Sequence, residues 1–255
     1  MPNAGEIHYR GSISSGINRE VLILIHGAGG SYLYWPPEIR RLAGRDILAV
    51  DLPGHGESPG DWKDSIEEYA EVLLEFMDLL EIDRAVLGGH SMGSAIAQRM
   101  CLDYPKRVKG LILVGAGARL RVHPQLIEDC SQPETFPQAV SQIMEWSFSQ
   151  HADLKLVRLA GDRMKEISSK VLLADFEACN AFEIRDEVGE INLPSLIICG
   201  QDDQMTPVGF SEFLAEKIRG SRLEIIPGAG HMVMLEKPEI VAVLIDEFLE
   251  QLAGY

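Results

Sequence analysis

The chain has 255 residues, 46% of them hydrophobic, and a formal net charge of −16. That length supports one large core, or one core with a small subdomain. The charge weighs against nucleic acid and anionic membrane surfaces as partners, because both repel an acidic protein.

The opening residues, Met1–Glu6, lack a basic region and an apolar region, so no signal peptide is expected. The longest apolar runs are of strand length, so no transmembrane helix is expected. Cys101, Cys130, Cys179 and Cys199 are scattered, without CxxC or metal-ligand spacing. They read as free thiols in a reducing cytoplasm, with no metal site.

In chain order, a weak strand or hairpin falls within Glu6–Ile17, where Gly11 and Gly16 blur the pattern. A buried strand, Val21–Ile25, leads into His26-Gly27-Ala28-Gly29-Gly30. A second, Ile47–Asp51, leads into Leu52-Pro53-Gly54-His55-Gly56-Glu57-Ser58. Ser65–Glu81 reads as a helix, with Ser65 and Glu68 as a capping box and one apolar face through Ile66, Tyr69, Leu73, Phe76 and Leu80. Further strands are Ala85–Gly88, Gly110–Val114, Ser195–Gly200 and Leu223–Ile226, and a last helix begins at Pro238. These near-continuous apolar runs alternate with helices. The pattern predicts an α/β fold with a mostly parallel sheet covered on both faces.

About eighty residues separate Val114 from Ser195, far more than a strand–helix–strand crossover needs. Helical periodicity occurs over Ala139–Phe148, Leu154–Ala160 and Ile167–Asn180, with breakers at Pro124, Pro133, Pro137 and Gly161. We expect a helical cap over 119–190 and a core made of 1–118 and 191–255.

Gly89-His90-Ser91-Met92-Gly93 lies between a buried strand and a helix-like run. A serine there is forced into a strained turn, with glycines admitting neighbouring backbone and the helix dipole beneath it. Ser91 is the candidate nucleophile. Downstream, acids Asp202 and Asp203 follow one strand, and His231 follows another between glycine-rich residues. A serine hydroxyl needs a base, and His231 is the candidate. Adjacent aspartates point in different directions, so only one reaches the histidine. His90, His26 and His55 read as residues that pack or hold their turns.

The order Ser, Asp, His and the turns quoted above resemble those of the α/β-hydrolase family, in its serine-hydrolase branch with a helical cap. The likeness spans nearly the whole sequence. It implies the α/β-hydrolase fold, with the insertion covering the site. The family spacing Gly-x-x-Asp, with Pro four residues on, implies Asp203 as the acid through Gly200 and Pro207. It also implies an oxyanion hole from the backbone of Met92 and Ala28, with Gly29 as second choice. Tyr32, Trp35 and Trp146 are candidate pocket walls, with Gly29 beside them. Phe136, Met144, Phe148, Phe176 and Phe182 read mainly as the cap's own core.

The expected function is hydrolysis of small carboxylic esters, of short to medium acyl length, through an acyl-serine intermediate, with no cofactor. Alternatives on the same triad are cleavage of a carbon–carbon bond or a lactone, and perhydrolysis. A non-catalytic small-ligand receptor is the alternative from another class.

Overall fold

The computed structural model describes residues 2–14 and 20–253. Eight strands form one sheet: β1 (Asn3–Ala4), β2 (Ile7–Ser12), β3 (Val21–Ile25), β4 (Asp46–Asp51), β5 (Ala85–His90), β6 (Val108–Val114), β7 (Ser195–Gly200) and β8 (Arg222–Ile226). Their order is β1-β2-β4-β3-β5-β6-β7-β8. The pairs β1–β2 and β2–β4 are antiparallel, and all others are parallel. The expected strand within Glu6–Ile17 is β2, while Ser15–Ile17 lie outside the described residues.

The pleat sends alternate strand residues into two separate apolar clusters. Ile23, Ile25, Leu48, Val50 and Leu87 pack with α2 (Ile66–Leu79), α3 (Met92–Asp103) and α8 (Val208–Lys217). Leu22, Leu24, Ile47, Ala49, Val86 and Ile198 pack with α1 (Pro37–Arg40) and α10 (Pro238–Ala253). The fold is thus the mostly parallel α/β sandwich that the strand composition predicts. Ser65 caps α2, its side chain accepting from the Glu68 N–H at 3.2 Å. The Glu68 carboxylate reaches back to the Asp64 N–H, one residue beyond a closed capping box.

Chain direction sets the site. After β3 the chain adds β4 on one side, then crosses to place β5 on the other. The loops after β3 and β5 therefore flank a topological switch point, where ligands bind in open parallel sheets.

Between β6 and β7 lie four helices: α4 (Pro124–Cys130), α5 (Phe136–Ser147), α6 (Leu154–Met164) and α7 (Ser169–Ala181). Three of the expected breakers sit inside them. Pro124 and Pro137 occupy first-turn positions, where a missing N–H costs nothing. Gly161 lies within α6, where an added Cβ would stand 3.2 Å from Met144 of α5. At the neck of this segment Arg119 and Glu183 form an antiparallel bridge, and the Ile184 N–H donates to Ala118 O at 2.8 Å. Among the described residues, no helix is long and apolar enough to cross a membrane.

Candidate active site

Ser91 terminates β5 and caps α3, with φ 51° and ψ −114°. A non-glycine residue holds such a backbone only where its surroundings impose it. Here they do. The Ser91 N–H donates to Val114 O at 2.9 Å, and Ser91 O accepts from the Ser94 N–H at 2.9 Å and the Ser94 hydroxyl at 2.6 Å. The flanking glycines permit the turn. A Cβ on Gly89 would fall 2.1 Å from Gly93 O, and one on Gly93 would fall 2.4 Å from Ile25 O.

Asp203 follows β7 and His231 follows β8, at the same edge of the sheet. His231 Nδ1 lies 2.9 Å from Asp203 Oδ2. Both side chains are about 95% buried. The Met205 and Thr206 N–H groups donate to Asp203 Oδ1 at 2.9 and 2.8 Å, and the Thr206 hydroxyl donates to Oδ2 at 2.9 Å. These donors stabilise a carboxylate and fix its direction. With Nδ1 donating to Asp203, Nε2 is the basic nitrogen of a neutral imidazole. Asp202 is half-buried, and its N–H donates to Ala229 O at 2.9 Å. The structure thus brings Asp203, rather than Asp202, to His231.

His90 packs against His231, ring centroids 4.7 Å apart, and its Nε2 lies 3.1 Å from His231 O. Its pKa is well below the usual histidine range, first through burial and then through the repulsion two neighbouring imidazolium rings, His90 and His231, would exert. It is therefore a neutral donor that steadies the His231 backbone.

Met92 is the first residue of α3, and Ala28 follows the Gly27 turn after β3. Among the described residues neither backbone N–H has a hydrogen-bond partner. Ala28 and Ser91 line one cavity of about 480 Å³. Two unpaired N–H groups at a helix start and a facing turn can receive negative charge developing beside Ser91.

The Gly29 N–H is not available for this, because it donates to Asp175 Oδ2 at 2.8 Å. Gly29 is also buried and lines no part of the cavity. Two further expected wall residues lie elsewhere. Trp35 is fully buried in the apolar cluster under the sheet. The Tyr32 N–H donates to Asp51 Oδ1 at 2.7 Å, and its ring lies under the Arg10 and Arg40 guanidinium groups. Trp146 does line the cavity, with Phe176, Met205, Thr206 and the stretch Leu120–Pro124. Phe136, Met144, Phe148 and Phe176 pack together in the same buried cluster.

Sequence reasoning missed Thr206, Asp175 and Gly115, the last of which packs directly against the His231 ring. Threonine two residues before Val208, in a strand-end loop, carries no recognisable pattern of its own. Gly115 is a glycine after a strand like many others. Asp175 is an acid within a helix, which ordinarily marks a solvent face.

The fold is that of the α/β hydrolases. Residues 22–244 match the alpha/beta hydrolase family, and the chain belongs to it. Over 90% of its length it is 30% identical to Protein ABHD8 of Bos taurus, and it spans about half the length of that relative (56%). It is 28% identical to the pimeloyl-[acyl-carrier protein] methyl ester esterase of Yersinia enterocolitica, covering 90% of this chain and 93% of that one. A solved structure of a thermophilic esterase is 30% identical with TM-score 0.82, covering 96% of this chain and 98% of that one. Its relatives thus include hydrolases that act on esters.

Proposed function

We propose that the protein is a serine carboxylesterase, acting on small soluble esters of short to medium acyl length. The observation that carries this is the buried Asp203–His231 pair at the same sheet edge as Ser91, which is held at positive φ on a cavity wall. Likeness to two esterases supports it.

In this reading His231 Nε2 removes the Ser91 proton as Oγ attacks the ester carbonyl. The new C–O bond yields a tetrahedral oxyanion, received by the Ala28 and Met92 N–H groups. Asp203 holds the imidazole tautomer and stabilises the imidazolium without taking the proton. The imidazolium then protonates the leaving alcohol as the C–O bond breaks. Water, deprotonated by the same nitrogen, attacks the acyl-serine; the acyl–Oγ bond breaks, the imidazolium returns its proton to Ser91 Oγ, and the acid is released. Residues 119–190 serve as a cap over the 1–118 and 191–255 core, supplying Trp146 and Phe176 to the acyl pocket.

The test is labelling by a fluorophosphonate together with turnover of p-nitrophenyl butyrate. Wild type should do both, and folded Ser91→Ala neither. A folded Ser91→Ala protein with near wild-type turnover would end the reading. Lactones and a vinylogous diketone in the same panel decide between ester cleavage and the other bonds this triad can break.

A further inference from the structure

Asp175 lies in α7, in the segment inserted between β6 and β7, and is completely buried. Its carboxylate touches three other parts of the chain. Oδ2 accepts from the Gly29 N–H at 2.8 Å and faces His55 Nε2 at 2.8 Å. Oδ1 accepts from the Tyr69 hydroxyl of α2 at 3.0 Å. The other His55 nitrogen, Nδ1, faces Pro53 O at 3.0 Å.

The donor inventory favours an ion pair. A carbonyl only accepts, so His55 Nδ1 carries a hydrogen. Asp175 Oδ2 already accepts from Gly29, and Oδ1 from Tyr69, which is the pattern of a carboxylate. His55 Nε2 then also donates, and the pair is an imidazolium and a carboxylate. Burial opposes the charged His55, but the Asp175 charge, its hydrogen bond and the Pro53 carbonyl outweigh it and raise the pKa. A buried pair of this kind is weak support for stability, since apolar side chains fill such a site as well. Its distinctive contribution is geometry.

The geometry it sets is that of the turn after β3. Gly30 N–H donates to Gly27 O at 3.1 Å, and His26 Nδ1 donates to the same oxygen at 2.8 Å while its Nε2 accepts from Leu52 N–H. The Gly29 N–H is taken by Asp175. Ala28, between these anchors, keeps its N–H unpaired on the cavity that holds Ser91. Ile167 and Leu172 of the inserted segment close on the same turn, since a Cβ on Gly29 would fall 2.9 Å from each.

We propose that Asp175 is a positioning residue for the oxyanion hole, fixing the Ala28 N–H through its bond to Gly29 and its ion pair with His55. This rests on the reading of Ser91, Ala28 and Met92 given above. It makes the inserted segment part of the catalytic apparatus as well as a pocket wall.

Asp175→Asn tests it. The amide leaves one oxygen acceptor for three donors, the Gly29 N–H, the Tyr69 hydroxyl and His55 Nε2, and removes the charge facing His55. Expected is a loss of kcat of about 10–100-fold per titrated active site, with KM for p-nitrophenyl butyrate changed less than about threefold. Affinity for a trifluoromethyl ketone, which forms a tetrahedral oxyanion, should fall in parallel with kcat. A merely structural role would lower the titrated fraction and leave both quantities per site unchanged, and that result overturns the proposal. If Asp175→Asn does not fold, His55→Gln is read instead. It keeps a donor toward Oδ2 but no charge, and about a 3–10-fold parallel loss is expected; unchanged kcat and inhibitor affinity overturn the proposal equally. Wild type that resists fluorophosphonate, or an active Ser91→Ala, would instead show that the reading of the site itself had failed.

Discussion

Gly115 and His231 are in such close contact that a Cβ on the glycine would lie 2.9 Å from two atoms of the imidazole ring. The glycine also has φ +55°, a region that side chains avoid. The ring has little freedom to yield, because Asp203 and Thr206 hold its Nδ1. Gly115→Ala should therefore lower kcat by about 100-fold, with a stability loss of about 1–2 kcal/mol. Wild-type kcat in this variant would show that the imidazole has room to move without losing function.

The two adjacent aspartates should behave unequally. Asp203→Asn should lower kcat by about 10³–10⁴, by presenting an amide donor where the imidazole needs an acceptor. Asp202→Asn should change it by less than about threefold, since the Asp202 N–H, which the change leaves in place, is its bond to the His231 loop. Steady-state kinetics on both variants decide. A crippled Asp202→Asn would place the acid one residue away.

Strain at Ser91 predicts a trade between stability and chemistry. Glycine adopts φ 51°, ψ −114° without the penalty that a Cβ brings. Ser91→Gly should be inactive yet more stable by about 1 kcal/mol, raising Tm by about 2–4 °C. Ser91→Ala should show no such gain. Thermal unfolding that ranks the two variants equal would mean the turn stores no strain.

Buried histidines make stability fall on acidification. Burial, then the His55 charge, lowers His26 to about 4. His90, faced by His231, Tyr34 and His26, is lowered by burial first and then by the His231 charge. In the unfolded chain both titrate near about 6.5. Between those values the unfolded chain binds protons that the folded one refuses, so stability is lost as pH falls below about 6.5. His55 acts oppositely. Its raised value gives a contribution complete below about pH 6.5 and lost as pH rises through the folded value. In urea titrations, His90→Gln should lose less stability than wild type between about pH 7 and pH 5. Equal losses would remove His90 from this account.

Trp146 narrows a cavity of about 480 Å³ that also contains Ser91. Trp146→Ala should favour longer acyl chains, raising the octanoate-to-butyrate ratio of kcat/KM by roughly 3–10-fold. An unchanged ratio would place the acyl chain against another wall, such as Phe176.

The strands were readable because burial on both faces leaves them uniformly apolar, as in Val21–Ile25 and Ser195–Gly200. The turn around Ser91 was readable because a tight turn between strand and helix restricts residue type; the choice of Asp203 over Asp202 came from the family spacing through Gly200 and Pro207, not from the residues themselves. α4 was not, because proline at a helix start and proline as a breaker look alike in sequence. Tyr32 and Trp35 were misplaced because proximity in sequence to the Gly27–Gly30 turn says nothing about which side of it a ring falls on. Asp175 was invisible for a different reason. Its partners Gly29, His55 and Tyr69 lie 106 to 146 residues away along the chain.

The bridge between Arg119 and Glu183 brings the two ends of the inserted helices together at one narrow neck. A domain engineer would see there a natural pair of splice points, with both cuts side by side and the sheet left whole. The same layout lets the segment change in length without rethreading a single strand of the sheet. A graft at these points would nonetheless inherit an obligation. The Gly29 N–H, the His55 ring and the Tyr69 hydroxyl stay behind on the recipient. Unless the incoming segment carries an acid at the matching place, three buried donors are left without their acceptor. A replacement for these helices in this chain is better chosen by that one carboxylate than by overall similarity of the exchanged helices.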